Sequence, residues 1–292
     1  MSAGAVPVRE SVGAALRYVR ENARFIASIA LIYAVVSTLI AGLTLSVPQL
    51  GVVTMVANGV VQAFCYGALT AGALFGVDAV RSRWPRDGWR IWSSMVVVGF
   101  FMTIVMFVIT IPVTIALVAG PLGSYAADLQ AAGSDQDAVM RIMIRFVEEN
   151  PLAVLVTALF FFVVWLLLTS RLYLAAPASV DAGRTLTFET WKWTKGATLR
   201  ITWARFMLLV PAYALMFALT ALLGRVFGFN VLDGASLQAA VAVNPVGVII
   251  FEFITSFIVL GLYASLEAGL SAYLYKGLKP ADAPAASAPP AA

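Results

Sequence analysis

Five stretches of this chain, residues 25–45, 52–77, 91–119, 151–170 and 206–224, contain no Asp, Glu, Lys or Arg. A sixth, 245–275, contains only Glu252 and Glu267. Each is long enough as a helix for a hydrocarbon core of about 30 Å, which takes about 20 residues. In lipid every backbone N–H and C=O must find a partner within its own segment, so these runs predict helices and not isolated strands. Pro112 and Pro211 fall inside two of them and predict kinks. Only 12% of the residues are charged and the mean hydropathy is +0.92, whereas a soluble domain carries about 25% charged residues. The expected fold class is therefore all-α: a polytopic membrane protein with six transmembrane helices and amphipathic interfacial helices.

The distribution of Arg and Lys sets the expected orientation. With the N-terminus in the cytoplasm, sixteen of the nineteen basic residues fall on the inner side, and only Arg141, Arg145 and Arg225 fall outside. This is the asymmetry that the positive-inside rule describes. Both termini are then cytoplasmic, and the expected location is the bacterial inner membrane. The net charge of +4 belongs to the inner face, where it attracts anionic headgroups and argues for lipid over nucleic acid as the partner. The first apolar run starts only at Phe25 and exceeds the length of a signal-peptide core, so it is expected to remain as an anchor.

Three domains follow: a cytoplasmic interfacial helix at 1–24, a membrane domain at 25–279, and a disordered Pro/Ala tail at 280–292. In the first, Val8, Val12, Ala15, Leu16 and Val19 share one helical face while Arg9, Arg17 and Arg20 take others, so the helix is expected to lie along the inner surface. A second amphipathic helix is expected from Ser134 to the residue before Pro151, on the outer surface, with Val139, Ile142, Met143, Phe146 and Val147 on its apolar side. A third is RTLTFETWKWTKG, where Arg184, Glu189, Lys192 and Lys195 seek water and Trp191 and Trp193 suit the headgroup region. Gly196 is expected to cap it. A basic segment with aromatics thus precedes the first, third and fifth spans, a loose repeat of three hairpins, each expected to carry a surface helix at its cytoplasmic entrance.

Few side chains here can carry chemistry. There is no histidine, and Cys65 is the only cysteine, inside an apolar run where a thiolate is disfavoured. No catalytic residue, metal ligand set or cofactor is expected. Glu252 and Glu267 are the charges deep in a span, and an ionisable group there is a functional candidate by default. Fifteen residues of uninterrupted helix would put them about 22 Å apart and about 60° around the axis, too far to share a proton or metal. Asn58 and Gln62 fall at the depth of Glu252, and Arg205 at that of Glu267. Glu252 is expected to bond polar neighbours and Glu267 to pair with Arg205 or Arg171, with a proton or substrate pathway as the alternative. Small residues at four-residue spacing, Ala68, Gly72 and Gly76 and then Gly261, Ser265 and Gly269, mark close helix approaches.

The stretch RLYLAAPASVDAGRTLTFETWKWTKG resembles a motif in the membrane domain of some bacterial glycerophosphodiester phosphodiesterases and their stand-alone membrane relatives. The matching positions are Arg171, Pro177 with Ala178, Asp181 with Gly183, Trp191 or Trp193, and Gly196. The chain end from Leu274 to Lys279 is similar too, with Gly277 and Lys279 where the relatives carry Asp and Arg. The resemblance implies a helical membrane bundle. It does not extend to phosphodiesterase activity, because the catalytic half of those enzymes is a separate histidine-bearing barrel.

The expected function is that of a non-catalytic, lipid-interacting or partner-organising membrane module. Anionic membrane lipids are the expected partners, beside a protein partner or a second copy of the chain. A small-molecule or lipid transporter, proton-coupled through the intramembrane glutamates, is the first alternative. A lipid-modifying membrane enzyme is the second.

Overall fold

The computed structural model describes residues 6–231 and 234–281. It is 87% helical, with no strand among the described residues. The helices are α1 (Val8–Glu21), α2 (Ala23–Ser46), α3 (Gly51–Phe75), α4 (Val80–Ala119), α5 (Ala126–Ala132), α6 (Gln136–Glu149) and α7 (Pro151–Arg171). They continue with α8 (Ala175–Ala182), α9 (Glu189–Trp193), α10 (Thr198–Val226), α11 (Gly234–Val243), α12 (Pro245–Ile258) and α13 (Ser265–Leu278). Residues 282–292 of the expected tail and 1–5 of the expected N-terminal segment lie outside the described residues.

The chain divides into two compact units, residues 1–97 with 170–292, and residues 98–169. The core of the first joins α2, α3, α10 and α13, with Leu69, Leu174, Ile201, Leu260, Leu270 and Leu274 all fully buried. Cys65 lies in this core as a free thiol. Gly67 and Gly88 let α3 and the start of α4 approach closely, since a Cβ on Gly67 would stand 3.3 Å from the Gly88 Cα. The Trp84 indole N–H then donates to the Phe64 carbonyl at 2.9 Å, and the Phe64 ring meets Trp89 edge-on.

In the second unit, Tyr125, Ile142 and Phe146 form a small core under α5 and α6. Asp135 starts α6 by accepting from the backbone N–H groups of Asp137 and Ala138, so the cap falls one residue after the expected Ser134. Of the face expected to be apolar, Ile142 and Phe146 are buried, whereas Val147 is 47% exposed.

Several expectations require correction. The first helix does not simply lie on a surface: Ser11 and Ala15 are fully buried, and the Tyr18 hydroxyl donates to the Leu69 carbonyl at 2.8 Å. Leu16, expected on its apolar face, is 52% exposed. The reason is shape, since α1 rests on two glycines that were expected to serve span-to-span contacts. A Cβ on Gly72 would meet Phe25 at 2.9 Å and the Tyr18 hydroxyl at 3.2 Å, and one on Gly269 would meet Tyr18 at 2.9 Å and the Ala15 Cα at 3.2 Å.

The segment before the third span is not a separate interfacial helix. α4 runs unbroken from Val80 through Pro85 and Pro112, and near its start Asp87, fully buried, holds Arg83 at 3.2 Å and Arg90 at 2.7 Å along one face. The helix at 184–196 shrinks to the five residues of α9 and ends at Thr194, with Gly196 in the following turn. The left-handed glycine of this region is Gly183, φ 69°, which ends α8. The last span is also interrupted: residues Val259–Ala264 are π-helical. A π segment turns less per residue than an α-helix, so the 60° offset between Glu252 and Glu267 does not carry over.

Candidate functional site

The two intramembrane glutamates stand on either side of the π-helical segment and in different surroundings. Glu252 lies seven residues into α12, about 10 Å along the helix from Pro245. Its Oε1 accepts from Ser256 Oγ, one turn on, at 3.0 Å, and from Ser37 Oγ of α2 at 3.4 Å. The two hydroxyls are themselves 3.3 Å apart. Beside them an open groove of about 220 Å³ lies between α2, α3 and α12, lined by Ser37, Ile40, Ala41, Thr44, Thr54, Met55, Asn58 and Glu252 among others.

Asn58 reaches this groove as expected, and its Oδ1 is buried without a hydrogen-bond partner among the described residues. Gln62 does not line it. One more turn along α3 carries that side chain past the groove. Thr44 and Thr54 join their hydroxyls at 2.8 Å across α2 and α3, and the Tyr33 phenol borders Ser37, Asn58 and Glu252. Sequence reasoning missed Ser37, Thr44, Thr54, Ser256 and Tyr33. The signal was there: Thr54 and Asn58, like Glu252 and Ser256, are polar pairs at four-residue spacing in apolar runs, which puts each pair on one helix face.

Glu267 stands in a more enclosed setting, with one cation acting on it. Arg205, 5% exposed, is the cation whose charge acts on it. The guanidinium donates to Ser170 Oγ at 2.8 Å and stacks over the Tyr173 ring at 4.6 Å. Tyr173 in turn donates to the Glu267 carbonyl at 3.3 Å, and Tyr66 meets Ser271 at 3.4 Å. Arg171, the other expected partner, is used elsewhere: it donates to Thr198 at 3.2 Å and stacks on Trp191 at 4.8 Å. The short turn after α7 aims it at the α9 segment instead. This arrangement surrounds Glu267 with the Arg205 charge and the Tyr173 and Tyr66 hydroxyls.

The remaining motif residues form a third constellation. Pro177 is buried in α8, and Ser179 bonds the Leu186 backbone on both sides. Asp181 accepts from the Tyr275 hydroxyl at 2.7 Å and pairs with the Lys279 ammonium. The Trp193 ring lies 6.2 Å from that of Tyr275, and Thr194 donates to the Arg171 carbonyl at 2.9 Å. The two stretches that carry the family resemblance are thus in direct contact.

Bonds of this kind also gather the basic segments. Arg83 donates to the Val180 carbonyl, Lys276 to that of Ala73, and Tyr273 to Glu10. Residues 8–24, 80–90, 171–205 and 276–279 therefore converge on one end of the first unit. Eleven of the sixteen bases on these segments are exposed, against three exposed acids, Glu10, Glu21 and Glu189.

Among the described residues six helices are long and apolar enough to cross a membrane. With the helical content and the intramembrane carboxylates this defines the class: an all-α, multi-pass membrane protein. Comparison with known protein families, with curated proteins and with solved structures returned no match.

Proposed function

We propose that this chain is a non-catalytic, lipid-interacting module of the bacterial inner membrane, with both termini cytoplasmic and its basic end facing anionic headgroups. The convergence of four basic segments on one end of the first unit carries this reading. Arg225, twenty-five residues after Arg200 on α10, sits about 38 Å along the helix from that end. Juxtamembrane bases of this density contribute about 1 kcal/mol each toward an anionic leaflet. The contact between Asp181 and the 275–279 segment joins the two stretches that resemble the phosphodiesterase membrane domain, and it supports a kindred bundle.

Native mass spectrometry of the detergent-purified protein tests the reading. Phosphatidylglycerol is expected to be retained, and charge reversal at Arg184, Lys192 and Lys195 is expected to release it. Equal retention by the reversed variant removes the proposal. A transporter is the second reading, favoured by the open groove at Glu252. Proteoliposome flux abolished by Glu252→Gln would select it.

A further inference from the structure

The hydroxyls that line the Glu252 groove are already committed as donors, and Tyr33, which borders Ser37, Asn58 and Glu252, is not among the lining residues. The Ser37 and Ser256 hydroxyls point to Glu252 Oε1, and Thr54 turns its own to the backbone carbonyls of Leu50 and Gly51. What remains is a set of acceptors: the rest of the carboxylate, the buried unpartnered Asn58 Oδ1, and the lone pairs of the Thr44–Thr54 pair. Among the described residues no Lys or Arg lines the groove, whereas the charge of Arg205 acts on Glu267. A carboxylate at this depth without a fixed cation is costly in lipid, and an amide oxygen buried without a donor is costly anywhere.

The complementary guest brings both a positive charge and several N–H donors. We infer that the Glu252–Asn58 groove binds a primary ammonium group, with Glu252 as its counter-ion, Asn58 Oδ1 as its second acceptor, and Ile40, Ala41 and Met55 against its alkyl carbons. A divalent metal is a poorer match, since it takes six or more oxygens and one wall here is apolar. A quaternary ammonium lacks the N–H that Asn58 requires. The volume of about 220 Å³ suits a group of ethanolamine size. The source is either an ethanolamine lipid headgroup or a small free amine. This site is separate from the basic end, so it stands or falls independently of the anionic-lipid reading.

The test uses the full chain purified in detergent and native mass spectrometry with phosphatidylethanolamine, phosphatidylcholine and phosphatidylglycerol of identical acyl chains. Thermal-shift titration with ethylammonium chloride runs alongside. Phosphatidylethanolamine retention at least tenfold above phosphatidylcholine, lost in Glu252→Gln and reduced at least threefold in Asn58→Leu, supports the lipid source. Stabilisation by ethylammonium, with no such lipid preference and with the same dependence on Glu252, supports the free amine. Glu252→Gln keeps an oxygen for Ser37 and Ser256; if it nevertheless fails to fold, the wild-type preference together with the Asn58→Leu loss decides. Equal retention of the two zwitterionic lipids with no ethylammonium shift overturns the inference, as does binding unchanged in a folded Glu252→Gln. Charge reversal at Arg184, Lys192 and Lys195 is expected to leave the ethanolamine preference intact while it releases phosphatidylglycerol, so the two proposals fail separately.

Discussion

The hydroxyl of Tyr275 donates to the carboxylate of Asp181 at 2.7 Å, across 94 residues of sequence, and Lys279 closes on the same oxygen. The carboxylate is 18% exposed and the lysine 24%, so the group is partly shielded and a charged hydrogen bond within it counts for more than a surface pair. Asp181→Ala is expected to cost about 2 kcal/mol, and Tyr275→Phe about 1 kcal/mol. In a double-mutant cycle read by unfolding in detergent, the two losses should fall short of additivity. Fully additive losses would mean that the contact contributes nothing.

Gly269 and Gly261 sit on the same small-residue stripe but meet different neighbours. A methyl group on Gly269 would press on the Ala15 backbone at 3.2 Å, which cannot swing away, while one on Gly261 would touch the Ala30 Cβ at 3.5 Å, an ordinary contact. Gly269→Ala is expected to destabilise by about 1–3 kcal/mol through overpacking. Gly261→Ala should be neutral or slightly stabilising, since alanine is the better helix former. Thermal unfolding of both variants separates the cases, and proteolysis near Arg20 should speed up only in the first.

Asp87 is the sole acid between Arg83 and Arg90. Asp87→Ala would leave two guanidinium groups facing each other beside Phe75, over which Arg83 lies at 4.1 Å. Removing one member of a buried ion group costs about 3–5 kcal/mol, and because each arginine keeps 26% exposure the lower end, about 3 kcal/mol, is expected. Loss of folded protein on size exclusion, reduced further by low salt, is the readout.

The Tyr125 phenol donates to Glu149 and accepts from Asn150 at 3.2 Å. The Glu149 carboxylate raises the pKa of Tyr125 above its ordinary value of 10.0. The folded unit holds this proton more tightly than the unfolded chain, so the contribution is whole below pH 10.0 and is lost as pH rises through the higher folded value. Hydrogen exchange in α5 and α6 should quicken in that alkaline window in the wild type. In Tyr125→Phe it should be faster at neutral pH and show no such step.

Topology gives a direct check on the charge asymmetry. A reporter fused near Ser134 should report the periplasm and one near Thr187 the cytoplasm. The same compartment for both would overturn the orientation.

Much of this molecule is legible from local chemistry. Five uncharged runs and a sixth with two glutamates can only be helices in lipid, and the ends observed for α2 and α7 fall within about two residues of where the charge pattern puts them. Glu252 and Asn58 were recognisable as one neighbourhood because axial depth follows from counting residues along a helix. Counting does not show where a groove ends, and this is why Gln62, one turn beyond Asn58 on the same helix face, was grouped with a groove that it does not line. The π segment changes the rotation between Glu252 and Glu267 with no residue that announces it.

Sequence alone determined the medium, the number of crossings and the depth of each polar group, since these depend on the cost of exposing charge and unpaired backbone to hydrocarbon. Tertiary packing decided which polar groups meet. Tyr18 bonds to Leu69, Asp181 to Tyr275 and Ser37 to Glu252 because glycines and bends allow particular helix faces to approach, and such approaches depend on the shapes of two surfaces at once.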